Sequence, residues 1–116
     1  GKMPFINSRV SVPMSEAQKE SLKQKLGEAI SIIPGKTESW LMIEFADGCE
    51  MYFQGDASQP IAFVEVKVFG TFSDETADKF TEAVCGLYES ELQINKDHVY
   101  VKYEEVGKWG WNGKNF

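Results

Sequence analysis

The chain has 116 residues, a mass of 13.1 kDa, 12 basic and 18 acidic side chains and a formal net charge of −6. That length holds one domain, and 42% hydrophobic with 13% aromatic residues is enough for a core and too much for a disordered chain. The acidic balance argues against nucleic acid, no apolar run approaches the ~20 residues that span a bilayer, and no apolar signal-peptide segment opens the chain.

Residues 5–12 read as a strand that Pro13 ends. A helix follows over 15–33, with Ser15 as N-cap, Gln18 completing a capping box, and Leu22, Leu26, Ala29, Ile30 and Ile33 on one stripe. Pro34-Gly35 stops it. Residues 39–45 read as a short apolar strand, Asp47-Gly48 as a turn and 50–53 as a further short strand before the polar turn at 55–58. The pattern then recurs. Residues 61–69 form a strand in which Glu65 and Lys67 alternate with Val64, Val66 and Val68. Gly70 breaks it. A second helix spans 73–92, with Ser73 as N-cap and Phe80, Val84, Leu87 and Tyr88 on its apolar stripe. Residues 98–103 read as the last clear strand, before an aromatic, Gly-rich tail at 109–116.

The two helix starts, Ser15 and Ser73, lie half a chain length apart, the mark of a duplicated βαβ unit. Two such units predict a mixed α/β (α+β) fold: a four-stranded sheet with two antiparallel helices on one face. The other face would be bare. Trp40, Met42 and Phe63 or Val64 would make it apolar, and an apolar bare face predicts oligomerisation.

Standard catalytic signatures are missing: no G-x-S-x-G, P-loop, G-x-G-x-x-G or H-E-x-x-H. Cys49 and Cys85 lack C-x-x-C spacing and, with His98 the only histidine, make no zinc ligand set. They read as two reduced, buried thiols in a cytosolic protein, with Cys85 in the core. His98 reads as a surface or capping histidine. Pro4 is different. If a chain begins at Met3 and loses it, Pro4 becomes a secondary amine with an ordinary pKa of about 7.7–8.0. An apolar pocket would lower that value and leave a general base near neutral pH. The residues alone leave a second reading, a proline that only restricts a strand edge.

The sequence resembles the macrophage migration inhibitory factor (MIF) family of the tautomerase superfamily over nearly its whole length. The likeness rests on M-P-F-I-N at 3–7, V-P at 12–13, G-K at 35–36, F-x-G at 53–55, F-G at 69–70, C-G-L at 85–87, V-Y-V at 99–101, W-G-W-N-G at 109–113 and the terminal Phe116. It implies a cofactor-free keto–enol tautomerase of α-keto acids such as phenylpyruvate. It also implies a homotrimer whose sheets face inward, with three sites at subunit boundaries. By the resemblance Pro4 is the base and Lys36 the carboxylate anchor, a position that otherwise reads as a helix-C-terminal cation. Tyr100 comes from the adjacent subunit. Phe5, Phe69, Val106, Trp109, Trp111 and Phe116 line the pocket. The family's alternative role is cytokine-like binding of a protein receptor, and export without a signal peptide stays open beside a cytoplasmic location. Dehalogenase or decarboxylase relatives add pocket arginines, and here Arg9 is the only arginine.

Three departures matter. Lys102 stands where animal members commonly carry Asn, which suggests a second cation and a more acidic substrate. The family's C-x-x-C falls on Ile61-Ala62-Phe63-Val64, so no thiol–protein oxidoreductase activity is expected. Gly1-Lys2 precede Met3 and read as a tag-cleavage remnant, so 1–3 are set apart from a single domain over 4–116. An amide nitrogen at Pro4 has no basic lone pair.

Overall fold

The computed structural model describes residues 3–116, so the reading of Gly1 and Lys2 lies outside the described residues. The chain runs β1 (Pro4–Val10), α1 (Glu16–Ala29), β2 (Met42–Ala46), β3 (Ala62–Phe69), α2 (Asp74–Leu92) and β4 (Val99–Val106). A small hairpin of β5 (Gly110–Trp111) and β6 (Lys114–Asn115) ends it. The main sheet has the order β2-β1-β3-β4. Parallel pairs β1–β2 and β3–β4 are the two βαβ units, and an antiparallel β1–β3 pair joins them. The duplication and the four-stranded sheet therefore stand as expected.

Both helices start where their caps dictate. The Ser15 side chain accepts from the Gln18 N–H while the Gln18 side chain accepts from the Ser15 N–H, and Ser73 accepts from the Thr76 N–H. The α-helical part of the first helix ends at Ala29, short of the expected 33, and Ile30–Ile32 tighten into a 3₁₀ turn. Ile33 precedes Pro34 and is forced extended, with φ −82° and ψ 117°. β2 begins only at Met42, because Glu38–Trp40 form another 3₁₀ turn. Its ladder with β1 starts at Phe5–Met42, and Pro4 beyond has no N–H to extend it. Residues 50–53 are not a strand; the segment makes only an isolated bridge between Phe53 and Asp56. The last strand starts at Val99 after a 3₁₀ turn at Lys96–His98 and runs on to Val106.

Strand alternation sorts the sheet into two faces. Ile6, Val10, Val64, Val66 and Val68 face the helices, where they pack with Leu22, Leu26, Ile30, Phe80, Val84 and Tyr88 in one buried core. The open face departs from expectation. It carries Phe5, Phe63 and Met42, yet Val64 points inward and Trp40 lies off the sheet. Between the apolar residues stand charges: Arg9, Glu44, Glu65, Lys67, Lys102 and Glu104. Arg9 bonds Glu65 at 2.6 Å. The hydrophobic count of the strands hid this, because their apolar residues are spent on the helix side. The two cysteines are free and only half-buried, Cys85 packing at the edge of the core and Cys49 outside it. No helix of the described residues is long and apolar enough to cross a membrane.

Candidate active site

Pro4 opens β1, is buried, and pairs with Val68 one residue before β3 ends. Met3, also buried, precedes it in left-handed backbone, φ 72°. Lys36 arrives at the same end of the sheet from the helix layer. Gly35 takes φ 78°, a turn open to glycine without Cβ crowding, and delivers Lys36 to the sheet. The Lys36 Nζ donates to the Phe69 carbonyl at 2.9 Å, and the residue is only 6% exposed. Burial holds its ammonium pKa below the ordinary lysine value. Among the described residues no carboxylate lies within ion-pair distance of it. A cation held by one carbonyl in a desolvated place is a ready partner for an incoming anion.

An aromatic chain starts from the same carbonyl. The Phe69 ring lies 5.7 Å from Phe116, which stacks on Trp111 at 6.3 Å and 12°. Trp111 meets Trp40 edge-on at 4.9 Å. The β5–β6 hairpin presents Trp111, its turn made by Asn112 and Gly113, both at positive φ (52° and 88°), as an Asn-Gly hairpin turn requires. The Phe116 N–H closes back on the Trp109 carbonyl at 3.0 Å. Val106 pairs with Phe69, and Phe5 follows Pro4 on the open face. Pro4, Lys36, Phe5, Phe69, Val106, Trp109, Trp111 and Phe116 thus gather at one end of the molecule.

Tyr100 and Lys102 do not join them within one chain. Tyr100 pairs with Phe63, which pairs with Arg9, five residues down β3 from Val68. At ~3.3 Å per residue that is about 17 Å along the strand. Tyr100 is 61% exposed and lines a cavity of about 200 Å³ with Phe53, Phe63 and His98. The His98 Nδ1 faces Asp97 Oδ1 at 2.8 Å, its ring edge-on to Phe53, a surface role in keeping with the sequence reading. The Lys102 Nζ sits 3.3 Å from Glu104 and 3.9 Å from Glu65, so its charge is already partnered.

The family model of macrophage migration inhibitory factor (MIF) matches residues 3–116. The chain belongs to that family. Among solved structures it is similar to Leishmania major MIF2, with 30% identity, coverage of 99% of this chain and 98% of that one, and a TM-score of 0.90. It is also similar to the MIF homologue from Prochlorococcus marinus, at 34% identity, coverage of 97% and 98%, and a TM-score of 0.80. The Toxoplasma gondii MIF, at 24% identity, 97% and 99% coverage and TM-score 0.88, shares the fold. No curated protein sequence matches. The mixed sheet and paired helices are therefore those of the MIF tautomerase fold.

The family frame makes Trp40 the residue that sequence reasoning missed at this end. The sequence pattern puts it in a strand and on the open sheet face. Its place at the end of the Glu38–Trp40 3₁₀ turn, against Trp111, puts it in the aromatic wall instead.

Proposed function

We propose that this MIF-family chain is a cofactor-free keto–enol tautomerase of phenylpyruvate-like α-keto acids, with Pro4 as the base. One observation carries the reading. The buried Lys36 ammonium is bonded to the carbonyl of Phe69, the residue after Pro4's own ladder partner, so cation and candidate base share one aromatic-walled end of the sheet. Lys36 holds the substrate carboxylate. The free Pro4 amine takes a proton from the carbon next to the ketone, the C–H electron pair forms the C=C bond, and the proton is returned to the ketone oxygen. Apolar walls disfavour the protonated amine and hold its pKa near neutrality. In this reading three copies assemble around the open faces, and a neighbour supplies Tyr100 across the boundary, which answers its distance from Pro4 within one chain.

The deciding experiment measures phenylpyruvate tautomerisation on a chain beginning at Pro4 beside the Gly1-start chain. Activity in the Pro4-start form, absent from the other because its nitrogen is an amide, is the expected result. Activity in neither overturns the tautomerase reading and favours a receptor-binding role for the same fold. Equal activity in both removes Pro4 as the base.

A further inference from the structure

Three cations stand on the open face, and they are not equivalent. Arg9 is bonded to Glu65 at 2.6 Å, and Lys102 lies 3.3 Å from Glu104 and 3.9 Å from Glu65. Lys67 makes no ion pair: Glu104 stands opposite it on β4, yet among the described residues no carboxylate lies within ion-pair distance of its ammonium. Its Nζ lies instead over the Phe5 ring, 5.5 Å from the centroid. Glu65, two residues back on the same face, is occupied by Arg9.

Position makes this charge meaningful. Lys67 is the cross-strand partner of Phe5, and Pro4 is the partner of the next residue, Val68. The Lys67 Cα is therefore about 5 Å from that of Phe5, which is covalently joined to Pro4. Val68 is flanked in sequence by Lys67 on one side and by Phe69, whose carbonyl holds Lys36, on the other. Two cations that make no ion pair thus bracket the Pro4–Val68 pair, one from the helix layer and one from the open face. A single carboxylate needs only one of them. The ammonium itself lies over the Phe5 ring, a cation–π arrangement worth about 0.5–1 kcal/mol where exposed. Such a contact is weak enough to yield to a carboxylate, whose charge-assisted bond to an ammonium is stronger.

We propose that Lys67 is a specificity-determining residue that binds a second carboxylate, so that the preferred substrate is an α-keto diacid. This rests on the tautomerase reading of the Pro4 end and narrows its substrate. It moves the second-cation role from Lys102, which contacts Glu104 and Glu65, to Lys67, which makes no ion pair of its own.

The test uses Pro4-start chains of wild type, Lys67→Met, Lys67→Gln and Lys67→Arg. Turnover of oxaloacetate and of phenylpyruvate gives a ratio of kcat/KM values, and calorimetry gives the binding of 2-oxoglutarate. The expected result is a fall of tenfold or more in the oxaloacetate-to-phenylpyruvate ratio in Lys67→Met and Lys67→Gln, with Lys67→Arg retaining most of it. Binding of 2-oxoglutarate weakens tenfold or more in the same two variants. A ratio and a binding constant that both move less than twofold overturn the inference, as does wild type failing to bind 2-oxoglutarate at millimolar concentration. A chain that turns over neither keto acid but binds 2-oxoglutarate through Lys67 overturns the tautomerase reading and leaves the diacid site standing.

Discussion

The two faces of the sheet are built from the same four strands and obey opposite rules. On the helix side, Ile6, Val10, Val64, Val66 and Val68 are all fully buried. The fully buried polar pair there, Tyr88 donating to Ser8 at 2.6 Å, leaves neither hydroxyl alone, and Tyr103 meets Thr81 and the Ala77 carbonyl on α2. On the open side, Arg9, Glu65, Lys102 and Glu104 run as alternating charges across three strands, and Asn7 donates to Glu44 at 2.9 Å. The Asn7 Oδ1 is buried with no partner among the described residues. The difference separates two kinds of burial. The helix face is dry and driven by apolar area. The open face keeps its charges within reach of water, so burial of a continuous apolar surface is not what would hold copies of this chain together there.

The sharpest way to break this comparison is to truncate an aromatic side chain on each side. Phe80 is fully buried under the helix layer, so Phe80→Ala should lower unfolding free energy by about 3–5 kcal/mol. Phe63→Ala, on the half-buried open face, should cost under about 1.5 kcal/mol. Urea unfolding of both variants at one protein concentration checks the pair. Equal losses would mean that the open face is as tightly covered in solution as the closed one.

A smaller effect tests the buried Tyr88–Ser8 pair of the closed face. Tyr88→Phe removes the donor and leaves the buried Ser8 hydroxyl short of a partner, a cost of about 1–2 kcal/mol near neutral pH. It should also change the alkaline limb. Burial pushes the Tyr88 phenol up to about 12, opposed by its bond to Ser8. The folded state thus holds the proton more tightly than the unfolded one, so this contribution is complete below the ordinary pKa of about 10 and is lost as pH rises toward 12. Unfolding measured from pH 8 to 12 should fall less steeply in Tyr88→Phe.

How much of this was legible follows from where the signals live. Caps and stripes are local, so Ser15, Ser73 and the buried Leu22, Leu26, Phe80 and Val84 could be read directly, and the shift between the halves gave the duplication. Lys36 and Phe69 came through the family likeness, since no spacing rule brings residues 33 positions apart into a hydrogen bond. The character of the open face was misjudged because it depends on register. Only the Ser8–Val64 and Asn7–Glu65 pairing decides that Val64 goes inward and Glu65 outward. Residues 50–53 failed as a strand because a strand needs a free neighbour, which their composition does not reveal. Lys67 is legible as an alternating polar residue, but that it makes no ion pair appears only once Arg9 is seen bonded to Glu65 and Lys102 beside Glu104.

The smallest effect lies in that charge ladder. The hydrogen bond from Arg9 holds the Glu65 carboxyl below the ordinary glutamate range, with the nearby charges of Lys67, Arg9 and Lys102 adding and desolvation opposing. A depressed folded pKa contributes stability above the ordinary value of 4.5 that is lost as pH falls through the folded value. Glu65→Gln should therefore cost about 1 kcal/mol or less at pH 7 and flatten the acid limb of the stability curve. Because Arg9 and Lys102 are partly exposed, about 0.5 M salt should shrink the difference between wild type and variant. An acid limb unchanged by Glu65→Gln would mean that the ladder does not hold the open face together, and that each of its charges is solvated alone. In that case Lys67 would lose its distinction from Arg9 and Lys102, because a cation without a carboxylate partner is special only where its neighbours' pairs are real.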